Sequence, residues 1–441
     1  MTAKTQPTQS TGSAGSARSL ALKGGTVLDQ RGEQRADVLI EDGVVTAVGS
    51  NLSGDRTLDA AGCMVSPGFV DLHVHLREPG REEAETIESG SRAAARGGFT
   101  AVVAMPNTEP PHDSVAVVEL VRRLGMQAGL CEVMPSGCIT MNRAGETLAP
   151  LAELAAAGVR IFTDDGNGVQ DPLLMRRALE YSKSLGIILA QHCEVSRLTQ
   201  GAVMHEGGCC SRMGVAGWPS VAEELMVFRD IELARLVGAP VHFLHLSTAR
   251  SVDLVRAAKA DGLMVTAEAA PHHFTLADTS LLGFDPIFKV NPPLREQADI
   301  NAIKRGLADG TIDAIATDHA PHPSQFKEMP LDQAPPGMLG LETSLALAIG
   351  ELDIDLQQIV ALLSWRPAAI AGVGDRHGRA IEVGAPANIT VFDPTLAWTV
   401  SAAGLASKSR NTPYAGRNVR GKVRHTVFNG QAVVIDGEAQ K

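Results

Sequence analysis

The chain has 441 residues, 44% of them hydrophobic and 20% charged, ordinary values for a globular fold with ample material for a core. Its formal net charge is −11 at pH 7, and it has no Lys/Arg cluster or basic stripe with interleaved aromatics. Nucleic acid and anionic membrane surfaces are therefore not expected partners, and no segment approaches the roughly 20 apolar residues of a membrane span.

Residues 1–18 are rich in Thr, Ser, Gln, Ala and Gly and lack the apolar run of a signal peptide, so a disordered tail is expected. The six cysteines, Cys63, Cys131, Cys138, Cys193, Cys209 and Cys210, form no Cys-x-x-Cys pair. A chain this long needs no covalent staples, and a reducing, cytoplasmic setting with buried thiols is expected.

Short β-like runs follow at 25–28, 37–40 and 44–48, with Glu41-Asp42-Gly43 as a hairpin signal between the last two. The far end has the same texture: strands are expected at 387–392 and 423–428, and Asn429-Gly430 marks a turn before 432–434. These two ends predict one small β domain built from 19–64 and 385–441. Between them, residues 65–384 alternate apolar strands with helical stretches. Strand candidates lie at 65–75, 100–104, 130–134, 159–163, 187–191, 241–246, 264–268 and 314–317. Helical runs include 86–96, 114–124, 173–185, 221–236 and 251–260. Eight strands with crossover helices predict an α/β fold of the (β/α)8 TIM-barrel type. A doubly wound sheet is the fallback, but no Gly-x-Gly-x-x-Gly follows the first strand to support it.

On the first strand, His73 and His75 are two apart and share a face, making half of a divalent-metal site. Arg77 keeps the same parity and suits a carboxylate. A bare His-x-His is equally compatible with a strand that merely carries two histidines. The other strand ends decide the matter. They lead to Met105-Pro106-Asn107, Asp164-Asp165-Gly166, His192, His245 and Asp318-His319. Taken singly these are core histidines and turns; gathered at the ends where barrel chemistry sits, they fit a two-zinc hydrolytic site. Residue spacing leaves Asp164 and Asp165 equivalent. His242 faces the other side of its strand and is left out, His272-His273 suit packing or support, and Cys193 suits a small buried hydrophobe.

In combination these motifs resemble the dihydroorotases of the amidohydrolase superfamily, the type with an aspartate metal bridge. The likeness is carried by Asp71-Leu72-His73-Val74-His75-Leu76-Arg77, Met105-Pro106-Asn107-Thr108, Phe162-Thr163-Asp164-Asp165-Gly166 and His192-Cys193-Glu194. It continues through His245-Leu246-Ser247-Thr248, Asn291-Pro292-Pro293-Leu294-Arg295, Asp318-His319-Ala320-Pro321-His322 and Gly340-Leu341-Glu342-Thr343. The resemblance implies reversible cyclisation of N-carbamoyl-L-aspartate to L-dihydroorotate in pyrimidine biosynthesis. It assigns one zinc to His73, His75 and Asp318 and a second to His192 and His245, with Asp165 bridging and Asp318 as acid/base. It assigns substrate contacts to Arg77, Asn107, Asn291 and His322 and to the backbone of Pro336 and Gly337. Proline lacks an N–H, so Pro336 can offer only its carbonyl. The resemblance also implies a homo-oligomer, with aspartate transcarbamoylase as a further partner.

Residues 323–339 read as a loop without clear periodicity, a candidate lid over the barrel mouth. The competing enzyme is a dihydropyrimidinase or allantoinase, whose relatives bridge their metals with a carboxylated lysine on strand four. Residues 159–163 hold no lysine. The competing non-enzyme is a scaffold of this family that has lost metal ligands, whereas every ligand position is kept here.

Overall fold

The computed structural model describes residues 19–441; the tail expected at 1–18 lies outside them. Strands from the two halves of the sequence pair with each other. Met64–Pro67 pairs antiparallel with Ile389–Thr399, Val65 opposite Val391, inside a seven-stranded sheet. A four-stranded sheet of Ser19–Lys23, Asp37–Glu41, Val44–Gly49 and Arg56–Asp59 faces its own core of Leu22, Val38, Ile40, Val65, Ile389 and Val391. Both expected hairpins turn through paired positive φ angles, 49° and 83° at Asp42-Gly43 and 47° and 75° at Asn429-Gly430, which suits the right-handed twist of the flanking strands.

The middle contains the eight expected strands, most of them shorter than the apolar runs suggested. They are β1 (Phe69–Val74), β2 (Phe99–Ala104), β3 (Glu132–Pro135), β4 (Ile161–Phe162), β5 (Ile188–Gln191), β6 (Val241–Phe243), β7 (Val265–Ala269) and β8 (Ala314–Ile315). All pair in parallel, β1 to β3 in one sheet and β4 to β8 in another. Parallel bridges join the sheet edges at Gly137–Phe162 and Val74–His319. Helices such as Ile87–Arg96, Val115–Ala128, Pro172–Leu185, Val221–Val237 and Ala249–Ala260 connect successive strands. The apolar run at 65–75, expected as one strand, is two. It breaks at Gly68, where a Cβ would lie 2.2 Å from Thr100 Oγ1, and this glycine hands the chain from the β domain to β1.

All six thiols are buried and unpaired. At the start of β3, Glu132 accepts two bonds from Arg376 (2.7 and 2.8 Å) and faces His377 Nε2 at 2.7 Å. His377 Nδ1 reaches Thr100 Oγ1 on β2 at 3.0 Å. Burial opposes ionisation of Glu132, but His377 and Arg376 outweigh it and hold the carboxyl down at about 2. A depressed folded pKa stabilises above the unfolded value of 4.5 and loses that contribution as pH falls toward about 2. Glu132→Gln is therefore expected to lower stability by about 1–3 kcal/mol near neutral pH. Urea melts from about pH 7 down to about pH 3 should show the deficit shrinking; a deficit constant with pH would refute the charge linkage.

Candidate active site

The strand ends bring the expected ligand residues together. His73 is on β1, and His75, Asp165, His192, His245 and Asp318 lie one to three residues beyond the C-terminal ends of β1, β4, β5, β6 and β8. His73 Nε2 lies 3.4 Å from Asp165 Oδ1 and 3.6 Å from Asp318 Oδ1. His75 Nε2 lies 3.1 Å from Asp318 Oδ1 and 3.6 Å from Asp165 Oδ2. From the other side, His192 Nδ1 and His245 Nε2 approach the same Asp165 Oδ1 at 3.4 and 3.5 Å. Two triads result, His73–His75–Asp165 and Asp165–His192–His245, each with its ligand atoms within 4.8 Å of one another. Asp165 belongs to both.

Asp164, equivalent by spacing, is committed elsewhere. Its carboxylate accepts from the backbone N–H groups of Ile139 and Thr140 at 2.9 and 3.0 Å and from the Thr140 hydroxyl, so it pins the loop after β3. Asp71 plays a similar part on β1, accepting from His73 N–H and Thr317 N–H, each at 3.0 Å, and from Thr317 Oγ1 at 2.6 Å. That clamp sets His73 beside the backbone that leads to Asp318. Arg77, His245 and Asp318 have φ of 64°, 28° and 47°, a sparsely populated region for residues with a Cβ and one that surrounding structure enforces at functional sites.

The electrostatics ask for a cation. Burial raises the carboxyls of Asp165 and Asp318, but the imidazoles around them outweigh it and hold both well below the usual carboxylate range. Burial likewise opposes charge on His192, yet Asp165 and Glu194 push it up to about 9. Two anionic carboxylates share this pocket with His73 and His192, both held above the usual imidazole range, and with His75, which burial pushes below it; a divalent ion with neutral imidazoles would balance that charge. His73 Nε2 and Asp165 Oδ1 are buried with no hydrogen-bond partner among the described residues. Orphaned polar atoms facing each other across such a gap fit metal ligation.

Three supporting residues escaped the sequence reading. Glu268, fully buried at the mouth end of β7, places Oε1 2.9 Å from His73 Nδ1 and Oε2 3.0 Å from His242 Nε2. A carboxylate only accepts, so a proton sits on His73 Nδ1, and in the neutral imidazole the Nε2 lone pair would face Asp165. His242 does point away from the ligands, as its parity predicted, but it braces Glu268, and its Nδ1 meets Thr266 Oγ1 at 2.8 Å. Glu194 holds His192 Nε2 at 3.1 Å, turning Nδ1 inward. Glu268 follows the same strand-end rule that located the ligands, and Glu194 lies inside a motif that was already quoted. His272 is buried, its Nε2 3.9 Å from Asp318 Oδ2, in keeping with the support role expected of it.

The expected substrate residues are brought together in part. Asn107 Oδ1 faces His75 Nδ1 at 2.9 Å, which leaves its Nδ2 donors to a ligand. Arg77, buried, donates Nε–H to Pro321 O at 3.2 Å and approaches His322 Nε2 at 3.3 Å. The same His322 Nε2 lies 2.8 Å from Pro336 O. Nε2 can serve a carbonyl only as a donor, and Arg77 can serve His322 only as a donor. Nε2 cannot do both at once: it either donates to Pro336 O, leaving the Arg77 N–H free for an anion, or accepts from Arg77. Pro336 and Gly337 reach this corner with their polar groups engaged: Gly337 N–H donates to Lys289 O at 2.9 Å, and Gly337 O accepts from Asn411 Nδ2 at 3.2 Å. Asn291 is half-buried, and among the described residues no hydrogen bond ties its side chain to the site. Residues 323–339, expected as a loop, contain the short helix Ser324–Lys327 and bury Leu331, Ala334, Met338 and Leu339.

A family profile described as Dihydro-orotase-like matches residues 62–251. A dihydroorotase of Streptomyces coelicolor is 48% identical over 425 residues, covering 95% of this chain and 98% of the relative. A dihydroorotase of Mycobacterium tuberculosis is 48% identical over 421 residues, covering 92% and 96%. Among solved structures, the L-hydantoinase (dihydropyrimidinase) of Arthrobacter aurescens superposes with a TM-score of 0.85 at 25% identity, covering 96% of this chain and 97% of its own. A D-hydantoinase at 24% identity and TM-score 0.82, covering 95% and 96%, shares the fold. With near-half identity sustained over almost the full length of its relatives, this chain belongs to the dihydroorotase family.

Proposed function

We propose that the chain is a two-metal dihydroorotase that interconverts L-dihydroorotate and N-carbamoyl-L-aspartate, with the parallel strands closed into a (β/α)8 barrel around the site. The observation that carries this reading is the pair of orphaned atoms, His73 Nε2 and Asp165 Oδ1, at the meeting point of four imidazoles and two carboxylates. His73, His75 and Asp318 would hold one ion, His192 and His245 the other, with Asp165 shared. An all-imidazole and carboxylate donor set suits zinc. Bound there, the ions would polarise the ring carbonyl and acidify water enough for attack near neutral pH. The six buried, unpaired thiols support a cytoplasmic setting for this step of pyrimidine biosynthesis.

The protein's own groups account for orientation and proton movement. The Arg77 fork, His322 and Asn107 suit the substrate carboxylate. Asp318 Oδ1 is engaged by His75, and its anionic state suits a base. In ring opening, Asp318 would take a proton from the attacking water as oxygen adds to the amide carbon. It would return that proton to the ring nitrogen as the C–N bond breaks; closure is the reverse. A hydantoinase reading rests on the shared fold, and the far higher identity to dihydroorotases outweighs it.

Metal analysis and turnover assays on one preparation test this reading. Chelated wild-type protein should take up two zinc ions per chain and regain turnover of both substrates. Asp165→Asn should lose binding of at least one ion. Asp318→Asn, which keeps an oxygen ligand, should retain metal while kcat falls about 10²–10⁴-fold. Glu268→Gln should weaken metal affinity by about 10–100-fold, read from competition with a chelating dye. A fully loaded wild type that turns over neither compound would overturn the proposal.

A further inference from the structure

Two buried lysines stitch the segment beside Arg77 to its neighbour without any acid. Lys327 Nζ donates to three carbonyls, Pro335 O at 2.8 Å, Pro286 O at 3.1 Å and Lys289 O at 3.3 Å. Lys289 Nζ donates to Leu331 O at 2.7 Å and Asp332 O at 3.3 Å. Among the described residues neither ammonium has an ion-paired carboxylate. Asp285 and Asp332 favour the two charges without pairing with them, and a buried ammonium held mainly by backbone dipoles is expensive to keep. Burial and the neighbouring Lys289 pull the Lys327 ammonium down to about 7, a cost that calls for a role packing does not supply.

Its position suggests the role. Lys327 grips the carbonyl of Pro335, and the next carbonyl, Pro336, is the one that His322 Nε2 meets. His322 in turn faces Arg77 at 3.3 Å, and burial together with Arg77 and Lys327 pushes its imidazole down to about 2, so it stays neutral. We propose that Lys327 is a positioning residue for the substrate's carboxylate: by fixing the Pro335 carbonyl it sets the adjoining Pro336 carbonyl and so orients His322 toward Arg77. This rests on the reading that Arg77 and His322 receive that carboxylate. Lys289 holds the far end of the same wall, through its own carbonyl to Gly337 N–H and its ammonium to Leu331.

The test compares steady-state kinetics on dihydroorotate, zinc content and thermal melting for wild type, Lys327→Met, Lys327→Gln and Arg77→Gln. Losing hydrogen bonds to a charged group should raise KM about tenfold or more in Lys327→Met, with kcat within about threefold and zinc content unchanged. Lys327→Gln keeps two donors without the charge; it should show a smaller rise in KM and provides the measurement if Lys327→Met does not fold. An unchanged KM in a folded Lys327 variant, a fall in kcat alone, or loss of zinc would overturn the proposal, as would failure of both variants to fold. Arg77→Gln separates the two levels. If its KM matches the wild type, the carboxylate reading itself fails; if its KM rises while that of Lys327→Met does not, only the role of Lys327 is refuted.

Discussion

Asp165 places a negative charge where almost no water reaches, at 2% exposure, and the arrangement of the site follows from that. A buried carboxylate survives only among groups that compensate it. Four imidazoles converge on it or its partner Asp318, and most have their far nitrogen held from behind: His73 by Glu268, His75 by Asn107 and His192 by Glu194. Each of those braces comes from a different strand end. The eight-strand framework therefore sets the direction of the imidazole nitrogens as well as the positions of the proposed ligands, and the supporting layer would matter to metal binding as much as the ligands themselves.

Much of this was legible in the sequence because two simple regularities survive folding. Alternation along a strand put His73 and His75 on one face, and parallel strands present their ends together, which gathered His192, His245, Asp165 and Asp318. What was not legible depended on contacts between distant segments. Asp164 and Asp165 are interchangeable until Ile139 and Thr140 claim the first. Glu268 and His242 look like isolated polar residues until one is found behind His73. The apolar run at 65–75 carries no mark of its division, because the break at Gly68 is dictated by the close approach of Thr100 from the next strand. Lys327 sits in a stretch with no periodicity, and its significance lies in carbonyls 8, 38 and 41 residues away along the chain.

The charge distribution reconciles an anionic substrate with an acidic protein. The net charge of −11 is spread over a surface screened by salt. Arg77 is buried beside His322 at one corner of the site, where low dielectric makes a single positive charge count for more than many remote negative ones.

The shared sheet of the β domain has a consequence for how the chain is made. Met64–Pro67 leaves the ribosome early, and its partner Ile389–Thr399 emerges only after the whole catalytic framework. For most of synthesis the N-terminal strands therefore present an apolar edge whose native neighbour does not yet exist, a template for pairing with the wrong strand. Emergence of Ile389–Thr399 closes that edge. The risk of misassembly is thus concentrated in the growing chain, and the arrival of that one strand, more than the assembly of the site, ends it.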